Sequence, residues 1–157
     1  MASIDYNEIF ECFLGNVTDY DFVSMPTSDS YALMTEYLHK ALAETYLRRL
    51  FSSLSLDDTS QTMTYEMVYV VADESDKEFI INAIAKWMVY EWLHKEVRSK
   101  TNTAQFFGGK EQSFYSQAQH ISELRGLQDD SYKEARVFVQ DRGWINNSYL
   151  EGANGET

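Results

Sequence analysis

Proline is almost missing from this chain. Pro26 stands alone among 157 residues, and glycine occurs only 7 times. With so few interior breakers the chain is free to build helices, whereas a turn-rich sandwich or barrel would need many more of them. Cysteine is as scarce. Cys12 is the only one, which excludes an internal disulfide framework and a multi-cysteine zinc site. No uninterrupted apolar stretch approaches the roughly 18 residues of a membrane helix. The opening MASIDYNEIF has no basic region followed by a long apolar run. Neither a membrane span nor a secretory leader is expected, and the cytosol is the expected compartment. Bases are also few: 13 Lys and Arg face 25 Asp and Glu, a formal net charge of −12. Ordinary sequence reading of DNA or RNA needs a basic footprint and is excluded on that balance. A surface past which nucleic acid slides without sticking remains compatible with it.

What is present is core. The chain is 44% hydrophobic and 15% aromatic, and its length suits one domain. The expected fold is mainly α, with four to five helices, a short β-hairpin or strand near residues 54–71 and an extended C-terminal arm. Ile9, Phe10, Phe13 and Leu14 fall at helical spacing in a first helix from Ile4 to Leu14, with Gly15-Asn16 as its stop. A second helix opens at Ser28 or Asp29 and runs to about Phe51, with a stripe of Tyr31, Met34, Leu38, Ala41 and Leu42. Met63, Tyr65, Met67, Tyr69 and Val71 alternate, with Thr64 and Glu66 between the first of them, which predicts a strand to Val71 that pairs with SLSL across the Asp57–Thr62 loop.

Ser75-Asp76-Lys77-Glu78 reads as a capping box, opening a third helix that runs to about Lys100. The polar side of this helix swings along its length, from Asn82 and Lys86 to Glu91, Lys95 and Arg98, roughly 165° away at roughly 100° per residue. Different partners must cover it at different heights, either from the same chain or from another subunit. A fourth helix spans Glu111 to about Arg142, kinked or split near Gly126 or Asp129-Asp130, and Gly143 ends it. The domain is expected over residues 1–142, with the arm over 143–157.

The stretch NTAQFFGGKEQSFYSQAQ invites two readings. A phosphate loop would need a glycine at Ala104 and a Ser or Thr at Glu111, so Gly108-Gly109-Lys110 fails that motif. Phe106, Phe107, Phe114 and Tyr115 around the Gly108-Gly109 joint suit a contact patch instead, unless the phenylalanines fold back onto their own core. Glu36 with His39, and Glu91 with His94, form two Glu-x-x-His pairs. With two more glutamates, such as Glu11 and Glu123, they would make the di-metal site of a ferritin-like bundle. The alternative is that both histidines are solvated or lie at interfaces, and no metal or cofactor is expected. No Gly-x-Ser-x-Gly elbow exists, and Cys12 sits among Ile9, Phe10 and Phe13 where an inert buried thiol is the default. No enzyme is expected.

The order of segments carries a resemblance. A short first helix precedes a long one ending YLRRLFSSLSLDD. Then follow TMTYEMVYVV, a central helix, NTAQFFGGKEQSFYSQAQHISELRGL and DRGWINNSYL. This resembles the small head-tail connector (adaptor) proteins of long-tailed bacteriophages over about Tyr6 to Leu150, most specifically over Asn102 to Leu127. The resemblance implies a mostly helical virion protein, assembled in the bacterial host cytoplasm. It would form a homo-oligomeric ring, commonly of twelve subunits, under the portal protein. Such a ring extends the DNA channel through which the genome passes and meets the next neck or tail-completion protein. The Phe106–Gly109 region with Phe114 and Tyr115 would then face a neighbouring subunit. Gly143 to Thr157 would reach the portal through Trp144, Ile145, Tyr149 and Leu150, unless it lies along its own subunit. The other classes in view are a ferritin-like metal protein and a small helical regulatory or interaction protein.

Overall fold

The chain begins as a strand and turns at once into a helix. The structure is a computed structural model that describes residues 1–17, 24–106 and 111–145, and side chains over 1–17, 24–100 and 118–142. Strand β1 (Ala2–Asp5) ends at Asp5, whose carboxylate accepts the Asn7 N–H at 2.8 Å. The Asp5 N–H reaches Glu8 Oε1 at 3.4 Å, so Asp5 and Glu8 form a capping box that opens α1 (Tyr6–Asn16). Helix one therefore starts two residues later than expected and continues through Gly15, while buried Ile4 belongs to the sheet.

Helix α2 (Thr27–Ala43) buries Met34, Leu38, Ala41 and Leu42 of the expected stripe, together with Tyr37. It does not continue to Phe51. Glu44 turns to an extended conformation, ψ 129°, and a single-turn helix α3 (Thr45–Arg48) follows at a new angle. The break has a packing reason: Leu47 becomes fully buried, and the Tyr46 ring stacks on Trp87 at 6.4 Å.

The chain then enters a hairpin, β2 (Phe51–Asp57) and β3 (Thr62–Met67), and β1 pairs with the other side of β3 to give an antiparallel sheet in the order β1-β3-β2. Met63, Tyr65 and Met67 face the core as their alternation implied. Asp57 Oδ1 accepts the Thr59 and Ser60 N–H groups at 2.9 and 3.2 Å, which sets the turn. Gln61 then takes a φ of 55° and its carbonyl accepts the Tyr6 N–H at 2.9 Å, tying the hairpin to the start of α1. The expected strand to Val71 stops early. Residues 68–71 leave the sheet, with the Val68 N–H on Leu50 O at 3.0 Å and all four side chains exposed.

Two long helices, α4 (Asp73–Phe106) and α5 (Glu111–Ile145), run antiparallel, each about 50 Å long at 1.5 Å per residue. Their rungs read in opposite chain directions: Asp76 with Arg142, Phe79 stacked on Phe138 at 5.2 Å, Lys86 with Glu134, Trp87 against Tyr132 at 5.6 Å, and His94 with Gln128 at 2.8 Å. Helix α5 is unbroken through Gly126 and Asp129-Asp130 and passes the expected stop at Arg142-Gly143 to reach Ile145. Helix α4 begins before the expected Ser75 box and continues past Lys100. It packs against α1, α2 and α5, so covers from the same chain account for its swinging polar side.

Trp87, Ile80, Ile84 and Met88 of α4 are fully buried against Ile9 and Phe13 of α1 and Leu38 of α2. Trp87→Ala is expected to lower stability by about 3–5 kcal/mol in denaturant unfolding. Leu127→Ala, at a position 57% exposed, should change it by no more than about 0.5 kcal/mol.

Candidate functional site

The two Glu-x-x-His pairs lie on α2 and α4 as expected, but the four residues take separate partners. Glu36 pairs with Lys40 at 2.5 Å, which holds its carboxyl below the ordinary value. His39 turns to Asp58 in the β2–β3 turn, its Nε2 3.0 and 3.1 Å from the two carboxylate oxygens. His94 Nδ1 meets the Gln128 amide of α5 at 2.8 Å. Glu91 stays part-buried. Burial, and then the nearby Glu44, push its carboxyl up, against the opposing pull of His94 and Lys40. Among the described residues, no three His, Cys, Asp or Glu side chains gather as a metal cage. Glu11 and Glu123, the proposed additional ligands, likewise join no such group.

Asp58 is the node that sequence reasoning missed. It accepts from the Tyr6 hydroxyl at 2.8 Å as well as meeting His39, so one turn carboxylate links α1, α2 and the hairpin. The hydrogen bonds from His39 and Tyr6 hold the Asp58 carboxyl below its ordinary value. Tyr6 is the reverse case: its phenol is pushed well above 10.0, first by burial and then by the Asp58 carboxylate. No local spacing announces this contact, because Tyr6 and Asp58 are 52 residues apart.

The signs give opposite pH limbs. A raised folded pKa means that the Tyr6 contribution is present below its unfolded value of 10.0 and is lost as pH rises beyond it. A depressed one means that the Asp58 contribution is present above 3.8 and fades as pH falls below it. Melting temperature should therefore drop on the alkaline side above about pH 10, and Tyr6→Phe should flatten that limb. Asp58→Asn should reduce the acid limb and also shrink the alkaline one without abolishing it, because burial remains as the larger cause of the Tyr6 shift. An alkaline limb unchanged in Tyr6→Phe would assign it to other phenols, of which Tyr31, Tyr65 and Tyr90 are also raised.

A second tertiary contact closes the base of the long hairpin. Asp76, expected within a capping box, is 4% exposed and instead pairs with Arg142 near the end of α5. Its other oxygen accepts the Val71 N–H at 2.9 Å, and the Arg142 guanidinium lies over the Phe79 ring at 4.3 Å. Farther along the helix pair, Tyr46 receives two further guanidinium groups, Arg136 at 4.7 Å and Arg49 at 5.2 Å. Cys12 is half-buried, its thiol pushed up by burial and 3.5 Å from Asn82 Oδ1. Such a thiol is poorly suited to nucleophilic work.

The expected contact patch comprises Phe106–Gly109 with Phe114 and Tyr115. Phe106 ends α4, and Phe114 and Tyr115 follow the start of α5, but Phe107, Gly108 and Gly109, and the side chains of all four aromatics, lie outside the described residues. The arm is affected in the same way. Trp144 and Ile145 form the last turn of α5, while Tyr149 and Leu150 and the side chains of all four lie outside the described residues. Compared with protein-family models, with curated proteins and with solved structures, the chain matches none of them.

Proposed function

We propose that the chain is a structural, non-enzymatic protein of a tailed-bacteriophage particle. It is a head-tail connector whose copies form a ring below the portal, extend the DNA channel and join the head to the next neck or tail protein. The observation that carries this reading is the α4–α5 hairpin. Among the described side chains of α5 only Ala135 and Val139 are buried in the core, none between residues 118 and 134 is buried, and Leu127 is 57% exposed. A helix pair that outreaches its own core offers surface to something else. The joint between the helices carries the aromatic and Gly-Gly sequence on which the resemblance is most specific. A net charge of −12 suits a lumen that repels the DNA backbone and lets the genome pass.

Mixing the purified protein with the portal of the same phage, followed by negative-stain imaging, tests the reading directly. Rings seated on portal are expected, and particles without added density would overturn it. Phe106→Asp combined with Phe107→Asp should abolish the rings while the helical circular dichroism is retained, because a charge at a packed apolar contact remains unpaired. Loss of the helical signal would instead make these phenylalanines core. Removing residues 146–157 should leave the melting temperature within about 2 °C of the full chain, since the cut falls beyond α5. The same truncation should eliminate attachment to portal; unchanged attachment would sink the docking role of Tyr149 and Leu150.

A further inference from the structure

The geometry points to a second docking surface, a strip over residues 48–74 that takes a second copy of this chain in antiparallel register. Its centre is Val68, Tyr69, Val70 and Val71, which are 49, 60, 64 and 54% exposed. Four consecutive large apolar residues turned to water on an ordered backbone are unusual in a stable monomer. The backbone here is held at both ends, by the Val68 N–H on Leu50 O and the Val71 N–H on Asp76. The ridge also borders a cleft of about 500 Å³ lined by Met1, Tyr65, Met67 and Val70, into which a side chain the size of Tyr69 can seat.

Charge selects the occupant. At the Leu50 end of the ridge stand Arg48 and Arg49, both exposed. Neither takes part in an ion pair among the described residues, although the chain carries nearly twice as many acids as bases. At the other end stand Asp73 and Glu74, exposed in the first turn of α4 and likewise without a cation. Among the described residues the Arg48 guanidinium reaches only the Phe51 carbonyl and that of Arg49 only the Tyr46 ring, so the strip runs from two cations that meet no acid through an apolar ridge to two acids that meet no cation. Such a pattern is complementary to itself when turned end for end. Two copies laid antiparallel cover both ridges and bring each Arg48-Arg49 pair to the other's Asp73-Glu74, an isologous contact. End-to-end stacking would satisfy the charges and leave the ridges in water. An isologous contact closes on two copies, so it is separate from the head-to-tail contact that a ring needs.

Sedimentation velocity over a concentration series tests it. The wild-type protein is expected to form a reversible dimer. Val70→Asp, at an exposed position outside any helix, should raise the dissociation constant by about tenfold or more. Arg48→Glu with Arg49→Glu should be monomeric, and so should Asp73→Lys with Glu74→Lys, because like charges then meet at both ends. Mixing these two double variants should restore a heterodimer, in which each end again joins opposite charges. A wild-type protein that stays monomeric, a dimer indifferent to Val70→Asp, or a mixture that fails to pair would each overturn the inference. Rings on portal from a protein that is monomeric in free solution would overturn this contact and leave the connector reading standing. Dimers that add no density to portal would do the opposite.

Discussion

Trp87 has to be buried, and most of the fold follows from how. It sits midway along α4, fully buried, with Tyr46 stacked on it and Tyr90 and Tyr132 edge-on at 5.9 and 5.6 Å. Two of these rings come from other elements, α3 and α5, so one indole sets both the break after α2 and the register of the long hairpin. The site has a cost, because the indole N–H is buried with no partner among the described residues. An unpaired buried donor costs about 1–3 kcal/mol. Removing roughly 200 Å² of ring surface from water, at about 25 cal/mol per Å², contributes about 5 kcal/mol. Packing wins, on condition that the surrounding rings stay close.

That condition explains which parts of the architecture were legible in the sequence. Periodicity reports which face of a segment is apolar, and the α2 stripe and the inward set Met63, Tyr65 and Met67 were both placed correctly by it. It does not report where a neighbour forces the chain to turn. Glu44 is a good helix former, yet the helix breaks there because Leu47 and Tyr46 are needed against the core. Val71 continues the alternation of β3 in sequence, but the chain must leave the sheet to enter α4, and Asp76 takes the Val71 N–H. The expected reciprocal cap was Ser75-Asp76-Lys77-Glu78 alone, and the helix already starts at Asp73. Asp5 and Glu8 form one, whereas Asp76 is claimed by Arg142, 66 residues away. β1 was missed because four residues with one buried side chain carry almost no pattern.

The candidate chemistry failed to assemble for the same reason. Glu-x-x-His spacing does place a carboxylate and an imidazole on one helix face, but which groups meet across helices is decided by packing. His39 is drawn to the hairpin turn and His94 to Gln128, so the two histidines, and not the pairs, brace one element against another. Asp58 had no distinguishing mark in a chain with 25 acids, and its role depends on Gln61 bringing the hairpin turn to the start of α1.

Scarcity of bases gives the remaining ones distinct tasks. Lys77, Lys86 and Arg142 each bridge two elements, to Glu8, Glu134 and Asp76. The first two pairs have an exposed partner and contribute no more than about 1 kcal/mol each, so they fix geometry more than they stabilise. The Asp76–Arg142 pair is different, being shielded from water and held by further contacts to Val71 and Phe79. Breaking it would strand a buried carboxylate, at about 3–5 kcal/mol. Among the described residues Arg48 and Arg49 meet no carboxylate: Arg48 donates to the Phe51 carbonyl and Arg49 lies over the Tyr46 ring. On a surface of −12, two copies repel at long range, but that repulsion is screened beyond about 10 Å at 0.1 M salt. Close contact is then governed by local pattern, and an apolar ridge flanked by its own opposite charges can associate while the rest of the surface stays repulsive. On the connector reading this segregation is required: the same chain must adhere to protein and let DNA slide by.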